Sequence, residues 1–76
     1  MAMKAEQIFA QALTLHQRGQ LGEAERLYRQ VLARHPDHPD ALNLLGVLAL
    51  QSGRNEQAIG LIERWLSRRP IRHVRR

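Results

Sequence analysis

The 76-residue sequence has no cysteine, which removes a disulfide framework and any thiolate metal site, and nothing in it implies an oxidising compartment. Aromatic side chains are nearly absent: one Phe, one Tyr and one Trp leave no row of rings on which nucleic-acid bases would stack. No apolar run approaches the ~20 residues that a membrane helix requires. The N-terminal stretch intersperses Glu6, Gln7, Gln11, His16, Gln17 and Arg18 among its apolar positions, so it does not resemble a signal peptide. A small, soluble, cytoplasmic protein of one domain is the expectation. A fold this short buries only roughly 60–65% of its unfolded-state surface, so it is marginal unless well packed or helped by a partner.

Cations outnumber acids by twelve to seven, but they are unevenly placed. Through residue 60, Lys4, Arg18, Arg26, Arg29, Arg34 and Arg54 balance Glu6, Glu23, Glu25, Asp37, Asp40 and Glu56. Beyond it, Arg64, Arg68, Arg69, Arg72, Arg75 and Arg76 face Glu63 alone, so the net charge of +5 sits at one end. A neutral body with a basic tail argues against a domain-wide nucleic-acid surface, which needs Lys and Arg spread along one face.

The hydrophobic periodicity is helical throughout. Ala5, Ile8, Ala12 and Leu15 recur at three- and four-residue steps, which places them on one helix face. Ala24, Leu27, Tyr28, Val31 and Leu32 repeat the pattern, followed by Ala41, Leu42, Leu45, Leu48 and Ala49, then Ala58, Ile59, Ile62, Trp65 and Leu66. Gly19 and Gly53 fall where helices must stop, and Pro39 suits a first turn with His38 or Asp37 as the cap before it. Four helices of about 11–15 residues joined by short loops are predicted, with no strands.

The helices form two matching pairs. A shift of 34 positions aligns residues 5–36 with 39–70 and matches Gln17/Gln51, Gly19/Gly53, Ala24/Ala58, Leu27/Leu61, Leu32/Leu66, Arg34/Arg68 and Pro36/Pro70. Each unit thus has a helix-stopping glycine, a small alanine where helices approach closely, and a proline after its second helix. The chain divides into a domain over residues 1–70, made of repeat 1 (about 5–38) and repeat 2 (39–70), and a basic tail at 71–76.

These residues resemble the tetratricopeptide repeat, whose 34-residue unit follows W-x2-L-G-x2-Y, then A-x3-F, then P. Repeat 2 reads Leu42-x2-Leu45-Gly46-x2-Ala49, Ala58-x3-Ile62 and Pro70; repeat 1 reads Ile8-x2-Gln11-Ala12-x2-Leu15, Ala24-x3-Tyr28 and Pro36. The resemblance implies an all-α fold of two tandem helix-turn-helix units, four antiparallel helices in a short right-handed solenoid. It also implies a scaffold that binds a peptide or protein segment in a concave groove. The groove candidates are Phe9, Leu13, His16 and Gln17 from repeat 1 with Asn43, Leu44, Val47, Leu50 and Gln51 from repeat 2, flanked by Glu6, Ala10 and Asp40. No Lys or Arg stands at these positions, so a clamp for a terminal carboxylate is not expected; Phe9, Leu13, Leu44, Val47 and Leu50 make an apolar strip instead.

Repeats of this kind bury their end faces against neighbours. Trp65, with Ile62 and Leu66, occupies the face where a third unit would stack, and self-association as a homo-oligomer, most simply a dimer, is the expectation. The Arg cluster 64, 68, 69, 72, 75 and 76 is a basic patch for an anionic ligand or RNA under an alternative reading; nucleic acid is not the expected partner. A third reading is a targeting segment of a larger enzyme. His35-Pro36-Asp37-His38-Pro39-Asp40 crowds potential metal ligands but reads as a turn and helix cap, so no metal or cofactor is expected. No nucleophile–base pair or phosphate loop is present, and the chain is not expected to be an enzyme.

Overall fold

The structure, a computed structural model, describes residues 4–68. They form four helices: α1 (Ala5–Gln17), α2 (Leu21–Arg34), α3 (Pro39–Gln51) and α4 (Asn55–Arg68). Helix α1 packs on α2 and α3 on α4, giving two helical hairpins, and α2 packs on α3 to join them. Among the described residues no helix is long and apolar enough to cross a membrane.

The punctuation follows the sequence. Both hairpin turns use a glycine in the left-handed region, Gly19 at φ 82° and Gly53 at φ 81°. In each, the amide after the glycine reaches back five residues: Gln20 N–H donates to Leu15 O at 2.9 Å, and Arg54 N–H to Ala49 O at 2.8 Å. The glycine amides themselves donate to His16 O and Leu50 O. This pair of bonds satisfies carbonyls that a helix end leaves open, and glycine meets the required geometry without a Cβ penalty. Helix α3 starts on Pro39, with the His38 ring accepting from Ala41 N–H at 3.0 Å, so His38 rather than Asp37 is its cap. At the start of α1, Gln7 Oε1 accepts from the Lys4 amide at 3.0 Å, half of a reciprocal cap.

The core is continuous through both repeats. Ile8 and Ala12 from α1, Ala24, Leu27, Tyr28 and Val31 from α2, Ala41, Leu42, Leu45 and Leu48 from α3, and Leu61 from α4 are buried together. Phe9, Leu15, Leu32, Leu44 and Trp65 pack against this cluster from its margins. Two positions depart from the periodicity. Ile59 and Leu66 share the apolar stripe of α4 but are 54% and 45% exposed. The counterpart of Ile59 in repeat 1 is Glu25, on the flank of α2 that meets the α3–α4 turn; among the described residues no segment stands against α4 in that way.

Helices α3 and α4 approach closely at Gly46, where an added Cβ would lie 2.8 Å from Ile62 Cγ1. Repeat 1 tolerates Ala12 at the same place. Gly46→Ala gains helix propensity, roughly 1 kcal/mol, but overpacking costs about 1–3 kcal/mol and wins. The variant is expected to melt several degrees lower than the parent by circular dichroism, since 1 kcal/mol shifts Tm by roughly 4–8 °C at this size; an unchanged or raised Tm would show that Ile62 swings aside freely.

Candidate functional site: the face shared by helices 1 and 3

The first helices of the two hairpins are bridged by side chains, and α2 supplies the buried group at one end of that bridge. Tyr28 is fully buried. A phenol hydroxyl cannot be buried unpaired without a cost of roughly 1–3 kcal/mol, and His16 Nδ1 meets it at 3.0 Å. The rings are edge-on, with centroids 5.7 Å apart. The other imidazole nitrogen, Nε2, lies 2.6 Å from Gln51 Oε1 on α3. With Nε2–H donating to Gln51 and Nδ1 accepting from the phenol, all three groups are satisfied. At the other end of the face, the Phe9 ring lies 5.9 Å from Tyr28 and 5.2 Å from His38, centroid to centroid.

This geometry sorts the groove candidates. His16 and Gln51 are bonded to each other across α1 and α3. Phe9 and Leu44 are half-buried and pack against the core. Gln17 is exposed, and Asn43 and Leu13 are half-buried. Val47 and Leu50 remain substantially open, at 36% and 48%. The apolar strip therefore reduces to Leu13, Val47 and Leu50, next to the His16–Gln51 link. At the far end a cleft of about 700 Å³ is lined by Lys4, Ala5, Glu6, His35 and His38.

On the α4 face, Leu66 is 45% exposed while Ile62 and Trp65 are half-buried. Arg64 Nη2 donates to Pro36 O at 2.9 Å, fastening the last turns of α4 to the α2–α3 loop. Arg68 closes α4; Arg69, Pro70, Arg72, Arg75 and Arg76, with the tail 71–76, lie outside the described residues. The His35–Asp40 segment is a turn and cap, and no group of His, Asp and Glu among the described residues is arranged to hold a metal ion.

A polar lock between the repeats has no signature in the spacing. Arg54 donates from Nη2 to Glu25 Oε1 at 2.6 Å and from Nη1 to Oε2 at 3.0 Å, while Arg29 donates to the same Oε2 at 2.9 Å. The bonds from Arg54, then those from Arg29, hold the Glu25 carboxyl below its ordinary range against the opposing effect of burial. A depressed carboxylate contributes stability above its unfolded pKa, and that contribution is lost as pH falls through the folded value. Thermal melts from pH 6 to pH 2 should fall less steeply in Glu25→Gln than in the parent; parallel curves would remove Glu25 from the acid response.

Burial acts in the opposite direction on Tyr28, whose hydroxyl is pushed up to about 12 from 10.0. A raised pKa stabilises the fold fully below the unfolded value and is lost as pH climbs through the folded one. Stability should therefore drop between about pH 10 and 12, and Tyr28→Phe should flatten that limb. Because Tyr28 is the single tyrosine, phenolate absorbance reads it directly; a midpoint near 10 in the folded protein would contradict its burial.

The comparisons with known proteins agree with the geometry. The family model "Tetratricopeptide repeat" matches residues 9–70. Cellulose synthase operon protein C of Pseudomonas fluorescens (strain SBW25) is 52% identical over 48 residues, 62% of this chain and 4% of that protein. The chain thus spans a small fraction of that relative's length. No solved structure matches. With two helical hairpins in a 34-residue register, glycine-ended first helices and a family match over most of its length, the chain belongs to the tetratricopeptide repeat family.

Proposed function

We propose that this domain is a non-catalytic protein-interaction module whose concave face, formed by α1 and α3, binds a peptide or protein segment by its apolar side chains. Tetratricopeptide repeats act as binding scaffolds, and one observation supports the finer reading: Val47 and Leu50 stay open, with the half-buried Leu13, beside a hydrogen-bonded pair, His16 and Gln51, that links the two helices. Exposed apolar side chains that are clustered, not scattered, are the usual mark of a contact surface. The matching relative's name points to a cellulose synthase operon, and proteins made with such a synthase are where we would look for a partner first.

Self-association through α4 is the second reading, supported by the exposure of Ile59 and Leu66 on one face with Ile62 and Trp65 at its edge. The anionic-ligand reading has less support among the described arginines, because Arg29 and Arg54 are bonded to Glu25 and Arg64 to a carbonyl.

Selection of a displayed peptide library on the immobilised domain tests the groove. Enriched peptides should carry apolar anchors and lose at least tenfold in affinity for a Val47→Glu/Leu50→Glu double variant. Peptides that bind both proteins equally would place the contact elsewhere. Light scattering over a concentration series tests the second reading: a parent dimer should become monomeric in Ile59→Glu/Leu66→Glu, and a parent that is monomeric throughout would end it.

A further inference from the structure

Gln51 gives the concave face more than apolar side chains, and the core decides how its carboxamide is turned. The buried phenol of Tyr28 needs an acceptor, and His16 Nδ1 is the one it meets. The imidazole therefore carries its proton on Nε2, and Gln51 receives that proton on Oε1 at 2.6 Å. With the oxygen engaged, the two N–H donors of the carboxamide remain, and among the described residues neither has an acceptor. Gln51 is exposed and stands beside Leu50 and one turn from Val47, on one helix face.

We propose that Gln51 is the specificity-determining polar group of this face: its side-chain N–H donates to a main-chain carbonyl of a bound peptide whose apolar side chains lie on Val47 and Leu50. The proposal rests on the concave face being the binding surface and adds the chemistry by which that face holds a peptide backbone.

Charge selects the acceptor. Helices α1 and α3 contain no Lys or Arg, and their charged residues are Glu6 and Asp40. Neither helix offsets a carboxylate, so the acceptor that fits beside Val47 and Leu50 is neutral. The main-chain carbonyl is the neutral acceptor that a peptide presents between its side chains. Comparison of the repeats points to the same residue. Gln17 holds the matching position in α1 and is exposed, but its side chain makes no hydrogen bond among the described residues. Gln17 must give up rotamer freedom to bind, whereas Gln51 gives up less because Tyr28 and His16 already orient it. Tyr28 and His16 are positioning residues for this contact.

The probe is a peptide enriched in the library selection, made as the free acid and as the C-terminal amide. Gln51→Glu keeps the oxygen that His16 uses and removes both donors, and it should weaken the peptide about tenfold while circular dichroism shows the fold retained. Tyr28→Phe should weaken it by a smaller factor, and Gln17→Ala should leave it unchanged. In NMR spectra the side-chain amide protons of Gln51 should move downfield on peptide binding while those of Gln17 stay in place. Amide-to-ester replacement along the peptide, which weakens one carbonyl at a time, should find a single sensitive position, and the two C-terminal forms should bind alike. Full affinity in Gln51→Glu, an unmoved Gln51 amide, or tighter binding of the free acid would overturn the proposal. If Val47→Glu/Leu50→Glu still costs tenfold in that event, the groove reading stands without it; if that double variant also binds like the parent, both end together.

Discussion

Helix α2 is held between α1 and α3, and the buried hydroxyl of Tyr28 sets the terms on which that is possible. Ala24, Tyr28 and Val31 have no exposure at all, so α2 is closed on both sides in a protein small enough for full burial to be scarce. The phenol brings a polar atom into that core and needs a partner there. His16 supplies it from α1, and its second nitrogen then reaches Gln51 on α3. One buried group thus fixes the ring orientation of a side chain that fastens the two walls of the concave face.

The repeats differ most where they face outward. Ala41, Leu45 and Leu48 are buried against α2, and the residues at their positions in α1 are Gln7, Gln11 and Thr14, all exposed. The outer side of α1 is thus covered by side chains compatible with water. The outer side of α4 is not: Ile59 replaces Glu25, and Leu66 remains open where Leu32 packs on the core. Replacement of Glu25 also removes the carboxylate that in repeat 1 receives Arg54. A neighbour on α4 would therefore meet an apolar face with no counterpart of that ion pair, and so would not repeat the α2–α3 contact.

Much of this was readable from residue spacing. The four helices, the glycine turns and the two-repeat register follow from local rules: three- and four-residue apolar steps, left-handed glycines, a proline in the first turn. Those rules concern residues within one turn of each other. They assigned Ile59 to the core because its helical phase is right, but phase does not tell whether another segment arrives to cover it. The groove candidates show the same limit. Position on α1 and α3 groups Phe9, His16, Leu44 and Gln51 as candidates for one face, yet only three-dimensional packing shows that Phe9 and Leu44 lean on the core and that His16 and Gln51 bond each other. The Glu25–Arg54 lock joins residues twenty-nine apart and has no local pattern at all.

The weak direct contact between α1 and α3 bears on how such a face responds to a ligand. Each of these helices packs mainly on α2 or α4, so the strip between them is bridged chiefly by side chains at its ends, Phe9 toward His38 and His16 toward Gln51. A segment that touches Leu13 on one helix and Val47 or Leu50 on the other adds contacts that the free domain lacks in the middle of the face. It binds the folded arrangement and not the unfolded chain, so its affinity adds to stability by mass action, about 2.7 kcal/mol when present at a hundred times its Kd. In a domain of this size that is a large part of the whole margin. On the proposed reading, occupancy of the concave face and the integrity of the two-repeat stack would be thermodynamically coupled, and a segment that fills the face would also hold the hairpins together.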